Sequence, residues 1–343
     1  MPNPVLTEAV EKLVSGVDLT ADEAATVLEE IMAGAASEVQ TSAFLVGLRA
    51  KGETVEELVG LARAMRRRSE PVAVDGDDLL DTAGTGGGRL TFNVSTAAAF
   101  VAAGAGCRVA KHGNRSATSR CGSADVLEAL GARIDLEPAA IAACIEEIGF
   151  GFMFAPAPHP AMRHVMPVRR ELAVRTVFNV LGPLTNPAGA TRQLIGVSDP
   201  AYVERMAAAL GHLGARRGLV VAGHDGLDEV SVSDRTRLVE VTPEGTAAFS
   251  IAPEDIGLER WSIDAVRAGT PDENALVLRH VLGGEDGPER ALVVANAGAA
   301  IYVAGRAPSI EAGARRAEDA IDSGAAQAAL AGYLERTQAL AAA

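Results

Sequence analysis

Two glycine-rich segments, each directly after a predicted strand, most limit the folds open to this chain. Residues 84–88 are Gly-Thr-Gly-Gly-Gly and follow a strand predicted at 78–83, while residues 111–123 follow a strand predicted at 107–110. An alanine-rich helix predicted at 95–103 separates them. Alternating strands and helices indicate a parallel sheet, in which the strands end at a common edge. The two segments are therefore expected together at the edge where α/β proteins bind ligands.

The same alternation continues along the chain. A helix that begins after Ser123 and ends at Gly131, followed by a strand at 132–136, would complete a βαβαβ unit. The later predicted elements are a helix around 169–177, a strand at 194–197, a helix at 202–213, a strand at 219–222, loops or a peripheral hairpin around 242–275, and an alanine-rich helical tail beyond 310. The fold class expected is α/β, with a mostly parallel central sheet flanked by helices.

Residues 1 to about 70 carry helical signals alone. The capping-box pairs that mark helix starts are Thr20 with Glu23, Ser37 with Gln40, and Thr54 with Glu57. We therefore predict a small all-helical N-terminal domain over residues 1–72, joined in space by helices from about 160–190. The α/β domain is predicted over residues 73–343, because a chain of 343 residues is long enough for two domains.

Composition excludes several classes of partner. With 31 Lys and Arg against 45 Asp and Glu, the net charge is −14, which disfavours non-specific binding to nucleic acid or anionic membranes. Cys107, Cys121 and Cys144 lack CxxC spacing and are expected to be buried free thiols of a reducing compartment. The N-terminus lacks a signal-peptide pattern, and the longest apolar stretch, 94–107, is too short to span a bilayer. A cytoplasmic protein is expected.

The glycine segments are candidate anion sites of unequal specificity. Taken alone, residues 84–88 fit a plain strand–helix turn as well as an anion site, since they match neither GxGxxG nor the P-loop pattern. Asn93, Ser95 and Thr96, at the start of the next helix, add hydroxyl and N–H groups at the same place. Residues 111–123 contain no long aliphatic side chain and begin with Lys-His, so they favour a polar cradle for a phosphorylated ligand.

A pair of adjacent carboxylates follows the strand predicted at 219–222. Asp228 and Glu229 could share Mg²⁺ with substrate phosphates, because this cation prefers oxygen ligands. An isolated Asp-Glu pair is more often solvated surface. Among the six histidines, His112 lies in a candidate loop, and no zinc-binding spacing occurs.

Longer motifs then occur in a specific order. They are GTGG (84–87), TFNVST (91–96), KHGNRS (111–116), GSADVLEALG (122–131), HPAMRHVMPVRREL (159–172), FNVLGPLTNP (178–187) and GLDEVS (226–231). Together with the helical N-terminal segment, they resemble the anthranilate phosphoribosyltransferase family over nearly the whole chain. The resemblance implies a helical domain joined by a cleft to an α/β domain, a homodimer, and a step of tryptophan biosynthesis. The reaction implied is transfer of the phosphoribosyl group of 5-phosphoribosyl diphosphate (PRPP) to the amine of anthranilate, with Mg²⁺ required.

The resemblance also assigns site residues by their positions in these motifs. For PRPP they are Gly84, Gly87, Gly88, Thr91, Asn93, Val94, Ser95, Thr96, Lys111, His112, Gly113, Asn114, Arg115, Ser116, Ala117, Thr118, Ser119 and Ser123. For anthranilate they are Gly84, His112, Asn114, Arg169 and Gly182, with Arg169 answering the carboxylate of that substrate. For Mg²⁺ they are Ser95, Asp228 and Glu229.

One departure and two rival functions accompany this resemblance. The family usually has GTGGD-G in the first loop, whereas here Gly88 stands near the position of that aspartate and the loop is one residue shorter. A pyrimidine nucleoside phosphorylase shares the implied architecture, but the GPLTNP motif argues against it. A non-catalytic nucleic-acid-binding relative is disfavoured by the net charge and by Asp228 and Glu229.

Overall fold

The N-terminal segment forms four helices whose starts are fixed by side-chain caps. The computed structural model describes residues 1–116, 120–155, 160–266 and 268–341. The helices are α1 (Pro4–Val14), α2 (Ala21–Met32), α3 (Glu38–Lys51) and α4 (Val55–Arg68). The boxes at Thr20 and Thr54 are confirmed. The box at Ser37 is half formed: Ser37 accepts the Gln40 N–H, but the Gln40 side chain bonds the Asn3 backbone instead and ties α3 to α1.

A seven-stranded sheet organises the rest of the chain. Its strands are β1 (Leu79–Gly84), β2 (Arg108–Gly113), β3 (Phe150–Phe154), β4 (Arg192–Gly196), β5 (Arg217–Gly223), β6 (Thr236–Thr242) and β7 (Gly245–Ile251). The spatial order is β3-β2-β1-β4-β5-β6-β7. The first five strands are parallel, and β6 and β7 form an antiparallel hairpin. The predicted fold class is confirmed.

Helices cover both faces of this sheet. They are α5 (Val94–Gly104), α6 (Ser123–Leu130), α7 (Pro138–Ile148), α8 (Met166–Leu172), α9 (Phe178–Leu181), α10 (Val203–His212), α11 (Pro271–Leu282), α12 (Pro288–Val303), α13 (Ile310–Asp322) and α14 (Ala325–Ala341). The small residues of α12 and α13 let their backbones approach closely: a Cβ on Gly313 would lie 2.2 Å from the Gly298 carbonyl oxygen.

The two faces of the sheet belong to two hydrophobic cores. Alternate residues of β4 point to opposite sides, so Leu194 packs with α5 and α12, while Ile195 joins a core shared with α10 and the N-terminal helices. Arg66 at the end of α4 adds polar links, because its guanidinium donates to the carbonyl oxygens of Leu184 at 2.8 Å and Leu213 at 3.2 Å. The helical segment is thus fixed to one face of the sheet.

Several predicted boundaries were wrong. Residues 132–136 alternate between buried and exposed but pair with no strand in the described chain, since the Arg133 N–H bonds the Thr337 hydroxyl; the third strand is β3. Strand β2 extends through Gly113, so Lys111 and His112 are strand residues. Helix α8 ends at Leu172, five residues early, and Gly122 rather than Ser123 caps α6.

The burial of the cysteines and the lack of a membrane-spanning segment were both predicted from the sequence. Cys107, Cys121 and Cys144 are buried and free of disulfides, as predicted. Burial raises the pKa of each thiol to about 11. Across the part of the chain that the structure describes, no helix is both long and apolar enough to cross a membrane.

Candidate active site

The first glycine loop lies against Asp228. The loop leaves β1 at Gly84, and the Gly86 N–H donates to the Asp228 carboxylate at 3.0 Å. Gly86 and Gly87 have φ of +63° and +81°, which side chains other than glycine adopt at a cost. Next to them, the Arg89 N–H donates to the Gly226 carbonyl at 2.9 Å. The loop is therefore closed onto the segment that carries Asp228 and Glu229.

Gly88 is the closest point of this contact. A Cβ built at Gly88 would lie 2.8 Å from Asp228 Oδ1, 2.9 Å from the Gly226 carbonyl oxygen and 3.2 Å from the Asp228 nitrogen. The absence of the family's aspartate therefore has a structural consequence. With this loop conformation, an aspartate at position 88 would press its Cβ against the Asp228 carboxylate and the Gly226 carbonyl, so the loop would have to shift.

Lys111 lies between β1 and the N-terminus of α5. Its ammonium donates to the Thr82 carbonyl oxygen and to the Ser95 hydroxyl, the latter at 3.2 Å. Burial lowers the pKa of Lys111 to about 8, although Asp81 and Glu229 oppose that effect. Lys111 and Ser95, predicted to bind PRPP and Mg²⁺, are thus brought together beneath the glycine loop.

His112 is enclosed by two hydrogen-bond acceptors. Its Nδ1 lies 2.6 Å from the Asp81 carboxylate and its Nε2 lies 2.7 Å from the Gly182 carbonyl oxygen. Since neither partner has a hydrogen to give, both ring nitrogens must donate, and the ring is an imidazolium. Burial would lower the pKa of His112, but the Asp81 carboxylate outweighs it and raises that pKa. Such a ring has no lone pair with which to act as a base.

The pair Asp228 and Glu229 has no ion-pair partner among the described residues. Burial raises the pKa of both carboxyl groups, and the Asp228 charge helps to raise that of Glu229 to about 8, with Lys111 opposing. Two adjacent carboxylates with raised pKa values favour a bound cation. Within the described ranges, no three His, Cys, Asp or Glu side chains cluster as metal ligands. A pair of carboxylates suits Mg²⁺, which retains water and takes substrate phosphates as ligands.

The second loop, which joins β2 to α6, is organised by Asp125 of α6. Its carboxylate accepts the N–H groups of Gly122 at 2.8 Å and Ser116 at 3.2 Å. Arg115 donates to Asp125 at 2.9 Å and also pairs with Glu128, so its charge is already compensated within the protein. Ala117, Thr118 and Ser119 lie outside the described residues.

The remaining residues of this loop are held by its neighbours. Asn114 accepts the Arg115 N–H with its side chain at 2.7 Å, and its backbone oxygen accepts the Ser123 hydroxyl at 3.3 Å. At Gly113 a Cβ would lie 2.1 Å from Ser123 Oγ, so the close approach requires glycine.

The start of α5 carries the other predicted phosphate contacts. Val94 and Thr96 are buried, and Thr91 bonds the Phe92 carbonyl oxygen. The Asn93 side chain donates to the Cys121 carbonyl at 3.2 Å and accepts from Asn274 at 3.0 Å. Asn93 therefore joins α5 to the second loop and to α11.

Arg169 stands apart from these groups on α8. Its guanidinium lies 5.3 Å from the Phe178 ring centroid and forms no ion pair within the described chain. Burial lowers the pKa of Arg169. Gly182, bonded to His112, has open space where a Cβ would be. Within the described ranges, Arg169 makes no direct contact with the residues predicted to bind PRPP.

Three residues of this region were missed from the sequence. Asp81 holds His112, and its signal was available, because it is a charged residue within an apolar strand. Arg175 and Ser198 both donate to the Gly86 carbonyl oxygen. They come from segments with no recognisable motif, so only the fold brings them to the loop.

Comparison with known proteins identifies the family. Two models of the glycosyl transferase family match, the helical bundle domain over residues 7–69 and the α/β domain over residues 76–327. An anthranilate phosphoribosyltransferase from Rubrobacter xylanophilus is 56% identical over 339 residues, covering 98% of this chain and 99% of the relative. Another from Moorella thermoacetica is 50% identical over 327 residues, covering 95% and 96%. The chain belongs to the anthranilate phosphoribosyltransferase family.

Solved structures of anthranilate phosphoribosyltransferases have the same fold. The crystal structure of the Thermus thermophilus protein matches with a TM-score of 0.91 at 48% identity, covering 96% of this chain and 99% of that one. The Saccharomyces cerevisiae protein in complex with PRPP and Mg matches with a TM-score of 0.90 at 29% identity, covering 97% and 98%. The family and fold predicted from the motifs are both confirmed.

Proposed function

We propose that this chain transfers the phosphoribosyl group of PRPP to the amine of anthranilate, releasing diphosphate. The observation that carries this conclusion is the closure of the glycine loop onto Asp228, which brings the loop beside two buried carboxyl groups that have no ion-pair partner among the described residues. N–H groups and a bound cation are what a diphosphate requires. Among relatives, the yeast protein has been solved with PRPP and Mg, and also with 4-fluoroanthranilate.

Asp228, Glu229 and Ser95 would hold Mg²⁺, which would neutralise charge on the diphosphate. Lys111 lies beside Ser95 and adds a buried positive charge on the same side of the leaving group. The glycine loop, Asn93, Thr96 and the second loop complete the proposed PRPP site. Arg169 donates hydrogen bonds to the anthranilate carboxylate, because its partly buried guanidinium has no counter-ion among the described residues and matches a carboxylate in shape.

The reaction then needs alignment more than acid–base catalysis. The nitrogen–C1 bond forms as the bond from C1 to diphosphate breaks, the electron pair leaves with diphosphate, and the proton of the nitrogen passes to the departing diphosphate or to solvent. Inversion at C1 follows. Orientation of two substrates accounts for about 7–11 kcal/mol of such a barrier. His112 does not take the proton, because both of its nitrogens already donate hydrogen bonds; it fixes the Gly182 carbonyl beside the anthranilate path.

The proposal extends to assembly, domain division and location. A homodimer through α1 and α3 is supported by exposed valines: Val39 and Val46 share one face of α3, and Val14 and Val17 lie at the end of α1. A division near residues 72 and 73 is supported by the element order, since the chain is helical through Arg68 and its first strand begins at Leu79, and by two family models that match residues 7–69 and 76–327 separately. A cytoplasmic location is supported by three buried cysteines that form no disulfide.

An assay of diphosphate release tests the function. We expect release from PRPP and Mg²⁺ only when anthranilate is added, and in a separate assay we expect no thymine to form from thymidine and inorganic phosphate. Phosphorolysis of thymidine without the anthranilate reaction would instead support the nucleoside phosphorylase alternative.

A further inference from the structure

Both backbone groups of Gly86 are held by hydrogen bonds. Its N–H donates to Asp228, while its carbonyl oxygen accepts two hydrogen bonds, one from Ser198 Oγ at 2.8 Å and one from Arg175 Nη2 at 3.1 Å. A carbonyl oxygen has two lone pairs, so these two donors satisfy it. The Gly86 carbonyl shares its peptide group with the Gly87 N–H, so the orientation of that N–H depends on Ser198 and Arg175.

Arg175 makes a second contact that Ser198 does not. Its guanidinium lies directly against Gly87, where an added Cβ would lie 1.9 Å from Nη1 and 2.9 Å from Cζ. A cavity of about 210 Å³ lies beside this contact and is lined by residues that include Arg49, Asn179 and Tyr202. The loop is therefore not covered there by a packed apolar layer, and Arg175 is a main support of that side.

Arg175 and Arg169 belong to the same segment, residues 169–178. The segment turns sharply at Ala173, whose φ is +51°, and the Thr176 N–H bonds the Asn179 side chain at 3.0 Å. Phe178, which follows closely, packs under the Arg169 guanidinium and is buried in the core of the N-terminal helices. This segment thus carries Arg169 at its start and places Arg175 against the glycine loop.

We propose that Arg175 is a positioning residue that couples the two substrate sites, because it links the glycine loop of the PRPP site to the segment whose Arg169 receives anthranilate. This inference rests on the proposed function. A shift of the segment when Arg169 binds a carboxylate reaches Gly86 and Gly87 through Arg175. Ordering of the loop by PRPP fixes the segment in return, so each substrate increases the affinity for the other.

The experiment compares Arg175→Ala with Ser198→Ala in the full chain. Each variant removes one donor to the Gly86 carbonyl, but only Arg175 is on the Arg169 segment. Binding of PRPP with Mg²⁺ is measured by calorimetry without acceptor, and initial rates are measured over a grid of both substrate concentrations. We expect Arg175→Ala to weaken PRPP binding about tenfold, as for loss of a charged hydrogen bond. In the unmodified chain we expect PRPP to decrease the apparent KM for anthranilate several-fold, and Arg175→Ala should abolish that decrease.

Ser198→Ala should weaken PRPP binding less and keep the dependence of one KM on the other substrate. Arg63→Ala, which removes an exposed arginine of α4, controls for the loss of charge and should change neither quantity. The inference is overturned if Arg175→Ala retains the coupling, or if the unmodified chain shows none. Calorimetry needs no turnover, so a chain that binds PRPP but ignores anthranilate would contradict the proposed function separately.

A double-mutant cycle gives an independent readout. Gly87→Ala introduces both backbone strain and a clash with Arg175, but in the Arg175→Ala background only the strain remains. Gly87→Ala should therefore weaken PRPP binding less in the Arg175→Ala background than in the unmodified chain. Equal losses in both backgrounds would show that the Arg175–Gly87 contact does not position the loop.

Discussion

The ends of β2 and β5 lie at the same edge of the sheet, yet their charges are treated in opposite ways. At the end of β2, His112 is neutralised by Asp81 and Lys111 is surrounded by oxygen atoms of Thr82 and Ser95. After β5, Asp228 and Glu229 have no ion-pair partner in the described chain, and burial raises the pKa of both. The cationic side chains of the first group have hydrogen-bond partners within the protein. The carboxyl groups of the second group are suited to bind a cation.

This difference separates stability from binding. A buried ion pair that satisfies all its hydrogen bonds fixes a strand end in one geometry, and removal of one partner leaves a charge stranded. Adjacent carboxylates without a cation destabilise the free protein and gain their interactions only on binding. Substitutions at the two places should therefore change the free energy of unfolding with opposite signs.

The largest effect is expected for Asp81→Asn. The imidazolium of His112 loses its counter-ion while remaining buried, which should lower the free energy of unfolding by about 3–5 kcal/mol. Urea denaturation of the variant and of the unmodified chain measures this. An unchanged midpoint would mean that His112 is neutral and does not need Asp81 as a counter-ion.

Next is the double variant Asp228→Asn with Glu229→Gln. Removing both carboxylates should reduce kcat/KM by about 10²–10³-fold or more, as for loss of charge stabilisation at the leaving group. The free energy of unfolding without metal should stay equal or rise, because neutral amides remove the cost of burying two ionisable carboxyl groups. Near-normal turnover at limiting Mg²⁺ would remove these residues from the metal site.

Arg169→Ala should produce a smaller and selective effect. Loss of a charged hydrogen bond to the anthranilate carboxylate corresponds to about 1.5–3 kcal/mol in kcat/KM for that substrate. The KM for PRPP should change much less, since Arg169 directly contacts none of the predicted PRPP residues that the structure describes. Steady-state kinetics with each substrate varied in turn decide this, and equal changes in both KM values would exclude the assigned role.

The charge on His112 makes the comparison depend on pH. Its pKa is raised in the folded chain from about 6.5 in the unfolded chain. The stability gained from the pair is therefore fully present below pH of about 6.5 and is lost as pH rises through the folded pKa. The difference in unfolding free energy between the unmodified chain and His112→Gln should shrink in that direction. A difference that grows with pH would indicate a neutral ring.

The sequence was sufficient for the elements with strong local signals. The capping boxes at Thr20 and Thr54 and the glycine loop after β1 were all found where predicted. Residues 132–136 show why pattern alone fails, because their alternate burial imitates a strand although no neighbouring strand is available to pair. The Asp228–Gly86 contact spans 142 residues, and Arg175 reaches Gly86 across 89. No local pattern encodes such contacts, so they required the fold.

Gly88 connects the two regions and gives the smallest expected effect. Because the space beside it is filled by Asp228 and the Gly226 carbonyl, an acidic side chain there fits only if the loop moves. A carboxylate on the loop would also attract an additional cation, and excess Mg²⁺ could then trap PRPP in a less productive complex. The unmodified loop lacks that attraction.

We therefore expect the activity of the unmodified chain to stay flat as Mg²⁺ rises to millimolar excess. A variant with an aspartate inserted after Gly87 should instead lose activity over that range, about severalfold if the added carboxylate acts as a second ligand near a partly buried site. The same insertion should weaken the Gly86–Asp228 hydrogen bond, because the added carboxylate repels Asp228. Parallel Mg²⁺ titrations of both forms at fixed PRPP provide the measurement. Strong inhibition of the unmodified chain, unchanged by the insertion, would show that Asp228 and Glu229 alone recruit the extra cation and that Gly88 has no part in it.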